Sequence, residues 1–391
     1  QLSSALRAVA KGDGQRDLGK LKDLVSSAGM FPTDGRRSVV ELEDELRSAI
    51  ARRLLECGAE VDAGDDQRRT SLYWACERGY EHVVEVLIGK GADVNAVEET
   101  LGKTALHAAA TGHVVQLLCK AKADPGIVTT TNGRSALEYH ASNSNVEPVQ
   151  ALIQAKANVD QARPTGTTAL WMAASKGRTA CVSVLLNAKA NVEQGRNNSG
   201  GPLFVACQKG HTEVVAMLIA AKAMANKCRS TDGVSPLFMA CQDGYAEVVE
   251  MLIVTKATVD NCSNSGASPL LMACQSGHAE VVRLLISAKA NVDLRNENGD
   301  SPLNLACYYG HAQVASIMVE AGANYNDTDK AGISAVDQAK ERGLQGFGFG
   351  KCVSDSEVSK LKQTNQRKGA YDLRNGANED NRPKLAGNFR D

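Results

Sequence analysis

Aromatic residues make up 4% of the 391 positions, and the formal net charge is −1. So few rings rule out a core built on large aromatics and fit short helices packed through Leu, Val and Ala. The near-zero charge removes a global field that would draw the chain to nucleic acid or a membrane surface. No run approaches the roughly 18 consecutive apolar residues of a membrane span, so membrane insertion is not expected. No cysteine pair has the C-x-x-C spacing of a metal or redox site, and no other metal or cofactor fingerprint is present. The nearest approach to a phosphate loop, GFGFGK at 346–351, fails: Gln345 stands where the first glycine is needed, and Cys352 replaces the Ser/Thr that would hold magnesium. The sequence opens at Gln1 rather than Met, so the lack of a targeting segment carries no weight.

What is present is repetition. The clearest unit is Ser230–Asp260, STDGVSPLFMACQDGYAEVVEMLIVTKATVD. Ser235 is a helix N-cap, and Pro236 takes the first helical position, where its missing N–H costs nothing. Leu237, Ala240 and Cys241 share one face of a short helix. Gly244 stops it, and a second helix from about Ala246 is expected to bury Val248, Val249, Leu252 and Ile253. Such a unit cannot bury its own apolar face and must stack on copies of itself. The copies are marked by Leu72, Leu106, Leu137, Leu170, Leu203, Leu237, Leu270 and Leu303, at spacings of 34, 31, 33, 33, 34, 33 and 33.

This pattern resembles the ankyrin repeat, with its period of 33 and its Thr-Pro-Leu-His-x-Ala signature. The matching segments here are SPLFMAC, SPLLMAC, SPLNLAC, TALWMAA and TALHAAA, over about 50–342. The resemblance implies an all-α solenoid of stacked helix-turn-helix units with hairpin-like loops, capped at both ends and followed by an irregular C-terminal tail. It implies a role class only, because these arrays bind many unrelated partners.

Three parts are expected: a degenerate N-terminal capping repeat at 1–37, an array of about nine units at 38–343, and a polar tail at 344–391. LRAVAKGD and LGKLKDLVSSAG form the cap, 30–38 an irregular connection, and 39–62 another imperfect two-helix unit. The unit from Leu106 to Lys122 is three residues shorter than its neighbours, about one helical turn. The next has Ser144 in place of the turn glycine and Pro148 early in its second helix. Stack geometry is therefore expected to change over 104–154. Residues 332–342 read as a C-terminal capping helix and 354–362 as a short helix. The remaining tail has too few apolar residues to fold alone. A tail held in place would make the chain a subunit of a larger assembly.

Cys76, Cys207, Cys241, Cys274 and Cys307 all stand four residues after a repeat leucine. Cysteine behaves there as a small apolar residue. Equivalent positions roughly 10 Å apart cannot form disulfides, which points to an intracellular, reducing compartment, cytoplasm or organelle interior. His211, His278 and His311 follow turn glycines and are expected to tie turns together rather than to bind metal or catalyse.

Three columns could meet a partner. Two residues after each leucine stand Trp74, Ala108, Tyr139, Met172, Val205, Met239, Met272 and Leu305. In ankyrin folds this position tends to face the concave groove, and methionine suits an adaptable apolar contact; the alternative is packing between adjacent first helices. Arg163, Arg196 and Arg229 recur every 33 residues at the hairpin tips and could bind carboxylates or phosphates. Tyr308 and Tyr309 complete the candidate set. In a third column Lys122, Lys156, Lys189, Lys222, Lys256 and Lys289 replace the glycine that follows the second helix, where Gly91 and Gly322 keep it. A non-glycine residue in a left-handed cap costs about 1 kcal/mol, and a cation at a helix C-terminus returns about 0.3–1 kcal/mol; the two nearly cancel, so this column need not be functional, though it draws a basic line along one side of the solenoid.

With no nucleophile–base pair, no catalytic residue is assigned. The chain is expected to be a non-enzymatic scaffold binding one or more proteins, through an apolar segment with flanking acids. The alternatives are a ribonucleoprotein component that contacts phosphates through the Lys and Arg ladders, or a regulatory subunit of an enzyme complex. Nucleic acid is the second partner class, to be recognised by steep salt dependence.

Overall fold

A computed structural model describes residues 2–12 and 39–344, apart from 198 and 327. The expected second helix of the N-terminal cap, the connection at 30–38, the GFGFGK segment, the helix at 354–362 and the tail lie outside the described residues. The chain divides into two compact units, 1–231 and 232–391. The described residues are all-α, with two isolated antiparallel bridges, Val128 to Ser135 and Thr328 to Ser334.

The first unit begins with α1 (Leu2–Lys11), which buries Leu6 and Ala10. Next is α2 (Val39–Glu56), a single 18-residue helix. A two-helix unit was expected at 39–62, but VVELEDELRSAIARRLLE contains no glycine or proline to interrupt it. Short pairs follow: α3 and α4 (Ser71–Arg78, Glu81–Gly89), α5 and α6 (Ala105–Ala108, Gly112–Lys120), α7 and α8 (Ala136–Ser142, Val146–Gln154), α9 and α10 (Ala169–Ser175, Thr179–Asn187), and α11 and α12 (Pro202–Lys209, Thr212–Ala220). The second unit holds α13 and α14 (Pro236–Asp243, Ala246–Val254), α15 and α16 (Pro269–Ser276, Ala279–Ser287), α17 and α18 (Pro302–Tyr308, Ala312–Glu320), and α19 (Ala335–Glu341), which packs on α17.

Local chemistry explains these boundaries. Ser235, Ser268 and Ser301 each accept a hydrogen bond from the backbone N–H three residues on, with proline at the first helical position. The second helices bury a Val-Val-x-x-Leu stripe, Val248, Val249 and Leu252 in α14. Ile253, expected inside, is only half-buried because it falls off that stripe. In the short repeat the lost turn comes from the first helix: α5 keeps four residues, while α6 keeps nine. Ser144 adopts φ 66°, the conformation expected of the glycine it replaces.

Neighbouring repeats are stapled by side chains. In the first unit His211 Nε2 donates to the Ser175 carbonyl at 3.2 Å. In the second, His278 donates to Gln242 at 3.0 Å and His311 to Gln275 at 2.9 Å. The turn glycine makes room for the ring: a Cβ on Gly244 would lie 2.5 Å from His278 Nδ1. At the loops, carboxylates and amides catch the next repeat's backbone. Asp160 accepts from the Asn191 N–H at 2.8 Å and Asp293 from Asn324 at 2.9 Å.

Candidate functional site

The first helices are wrapped by their neighbours, which decides how much of the column two residues after each repeat leucine is accessible. Trp74, Val205, Met239 and Leu305 are buried, at 7%, 3%, 3% and 7% exposure. Tyr139, Met172, Met272 and Ala108 are half-buried. The column is therefore partly inter-helix packing, and its accessible part lies at Tyr139 and Met172 in the first unit and Met272 in the second.

Cations cover its aromatic members. The Arg69 guanidinium lies 4.2 Å from the Trp74 ring centre, with the Lys11 ammonium at 4.8 Å. The indole N–H donates to Asp65 at 3.3 Å. Lys103 and Arg134 lie 4.6 and 5.0 Å from the Tyr139 ring. Such stacking orients a cation while leaving its edge polar. Sequence reasoning missed Arg69, Lys103 and Arg134. The signal was a basic residue three positions before the leucine in three consecutive repeats.

The arginine ladder turns inward. Each member reaches a first-helix residue 25 positions earlier. Arg163 forms a two-pronged ion pair with Glu138, its Nε 2.9 and 2.8 Å from the carboxylate oxygens. Arg196 lies 5.9 Å from the Trp171 ring and Arg229 5.1 Å from the Phe204 ring. Glu138 is 1% exposed and also has Arg134 at 3.6 Å. Arg229 is itself buried, at 8%. The three are structural contacts first, because their partners are core residues of the repeat before.

Tyr309 is 43% exposed and stacks parallel to the His311 ring at 6.3 Å, while Tyr308 packs edge-on against Tyr309 and under Arg342. This aromatic corner belongs to the second unit.

Two histidines of the irregular repeats are buried and neutral. His107 Nε2 donates to the Arg134 carbonyl at 3.1 Å, and its Nδ1 accepts from the Thr104 backbone N–H at 3.2 Å. His140 Nε2 donates to the Leu106 carbonyl at 2.8 Å, and its Nδ1 faces the Asn145 amide at 3.2 Å. Burial pushes both down to about 4, only partly countered by the carbonyl each ring faces. A second proton on either Nδ1 would point at a donor.

The lysine column has the left-handed backbone its place requires. Lys122, Lys156, Lys189 and Lys222 in the first unit have φ of 68°, 63°, 64° and 66°; Lys256 and Lys289 in the second have 64° and 65°. The next residue closes each cap, as when the Ala157 N–H donates to the Leu152 carbonyl at 3.0 Å.

Among the described residues no group of three His, Cys, Asp or Glu side chains is placed to hold a metal ion, and no helix is long and apolar enough to cross a membrane. Ten cysteines there are free thiols. The repeat cysteines are fully buried, which raises Cys76, Cys207 and Cys274 and pushes Cys307 up to about 12. They are inert packing groups. A depression of about 300 Å³ between α2 and α4 is lined by Ser48, Arg52, His82, Glu85, Val86 and Lys90. Asp44 accepts from His82 there at 2.9 Å and raises its pKa, against burial. The Ser48 hydroxyl donates to the Glu45 carbonyl at 2.8 Å, so the geometry presents no serine–histidine pair.

Comparison with known proteins agrees with this architecture. A family model for ankyrin repeats in three copies matches residues 45–129, 112–196, 189–264 and 237–329. Ankyrin repeat domain-containing protein 63 from mouse and from human are each 39% identical over 67 residues, 17% of this chain. The matched stretch spans 17% of the mouse relative and 18% of the human one.

Proposed function

Because the chain belongs to the ankyrin-repeat family, a fold that generally mediates protein–protein interaction, we propose that it is a non-enzymatic scaffold whose concave face and hairpin tips bind another protein, as a subunit of a larger assembly. The observation that carries this reading is that the apolar residue two positions after the repeat leucine is half-buried at Tyr139 and Met172 in the first unit and at Met272 in the second. A side chain in that state already has neighbours to hold it and still has surface to lose. Methionine there adapts to the partner's shape. Beside Tyr139, Lys103 favours a partner segment with apolar anchors and flanking acids. Tyr309 adds an exposed ring in the second unit.

The test is co-purification of the full chain from its native source at moderate and high salt, with mass spectrometry of what accompanies it. A stoichiometric protein set that survives high salt supports the scaffold reading. Nucleic acid recovered only at low salt would overturn it in favour of a phosphate-binding role.

A further inference from the structure

The lysine column gives no clear gain in stability, because the cation at each helix end does no more than offset the left-handed backbone it occupies. Lys122, Lys156, Lys189 and Lys222 are all exposed; each backbone N–H donates at its helix end, as Lys122 does to the Cys119 carbonyl at 3.0 Å, but none of their ammonium groups makes a hydrogen bond or ion pair with the described residues. All four hold a left-handed backbone that glycine adopts more readily. Strain kept at an exposed position by a side chain without internal partners marks a surface in use elsewhere.

The surroundings narrow what that use is. Each of the four is flanked on both sides by alanine, and no aromatic stands within two residues of any of them. The ammonium groups therefore rise from a low track without rings on which bases could stack, which disfavours single-stranded nucleic acid. Lysine offers a hydrated point charge rather than the flat fork suited to phosphate. Packed helices lie about 8–10 Å apart, so successive lysines of the first unit recur at about that interval. Seven residues of an α-helix rise about 10.5 Å.

We propose that the Ala-Lys-Ala track of the first unit is a second interaction surface, on the ends of the second helices and apart from the groove-facing column. Its partner is an acidic α-helix of another protein, lying along the stack with a carboxylate at every seventh residue. The half-buried alanine before each lysine (Ala121, Ala155, Ala188 and Ala221) lets the helix backbone come close, and each carboxylate meets one lysine.

The test uses the full chain and three fluorescent probes: a helical alanine-rich peptide with glutamate at every seventh position, a peptide of the same composition with its glutamates clustered, and a single-stranded RNA. Binding is read by anisotropy at low and physiological salt. The evenly spaced peptide should bind about tenfold more tightly than the clustered one, since each exposed ion pair contributes modestly, and the gain should shrink as salt rises. Replacing all four lysines by glycine should abolish the difference while melting stays at or above that of the wild type. Replacement by asparagine, which also tolerates the left-handed backbone, should abolish it too. Equal binding of the two peptides, no measurable binding of the spaced one, or retention of the difference in both variants would overturn the proposal. Tighter, lysine-dependent binding of the RNA would overturn it as well.

Discussion

Arg163 and Glu138 form a two-pronged ion pair across adjacent repeats, with the carboxylate at 1% exposure and the guanidinium side chain at 15%. A residue placed at a hairpin tip by its 33-residue recurrence is thus tied to the first helix of the preceding repeat. Removing the arginine leaves a buried carboxylate with only Arg134 near it. Arg163→Ala should cost about 3 kcal/mol in urea unfolding. Arg163→Met combined with Glu138→Leu should recover most of that loss, because no charge is left buried. A single variant with wild-type stability would show that the pair contributes little.

Acid should loosen the irregular repeats before the others. His107 and His140 have folded pKa values of about 4, below the ordinary histidine value of 6.5, chiefly through burial. The unfolded chain therefore binds more protons below about pH 6.5, and stability falls as pH drops from there toward 4. Each histidine can account for about 3 kcal/mol at the acid end of that window. Hydrogen-exchange protection factors across 104–154, which correct for slower intrinsic exchange in acid, should fall between pH 6.5 and 4, and His140→Asn should flatten the dependence.

Burial separates two methionines of one column. Met239 is 3% exposed, whereas Met272 is half-buried. Met239→Glu should destabilise by about 3 kcal/mol or more, because a charge enters the core. Met272→Glu should cost about 1 kcal/mol and weaken partner binding. Equal melting temperatures for the two variants would contradict this division.

Two turn glycines isolate the histidine staple. Gly244 and Gly310 have φ of 81° and 79°. A Cβ on Gly244 would meet His278 at 2.5 Å, while nothing lies within 4 Å of one on Gly310. Gly310→Ala should cost about 1 kcal/mol from the backbone alone. Gly244→Ala should cost clearly more, in thermal melts of the otherwise unchanged protein.

Periodicity made the all-α repeat, its helix caps and the structural histidines legible, because those features are local: an N-cap serine, a first-turn proline, a turn glycine. What it could not give was the burial of each column. Met239 and Met272 occupy equivalent positions and differ only in what packs over them. Glu138 carries no local signal of burial, which comes with its pairing to Arg163, 25 residues away. The second-helix pattern in SAIARRLLECGAEVD points to another repeat unit at 39–62, whereas Val39–Glu56 is one continuous helix because no glycine or proline interrupts it. The lysine column was visible as a departure from the glycine expected at that place, and its left-handed backbone follows that expectation in every copy.

The most direct measurement of the central claim is site-specific photo-crosslinking in extract from the native source. A photoreactive amino acid is placed singly at Met172, at Met272 and, as a control on a second helix, at Val254, which is 75% exposed. The account predicts a discrete protein adduct of the same identity from positions 172 and 272 and none from 254. Adducts from 254 alone, or the same adducts from all three positions, would contradict a scaffold that binds through the first-helix face.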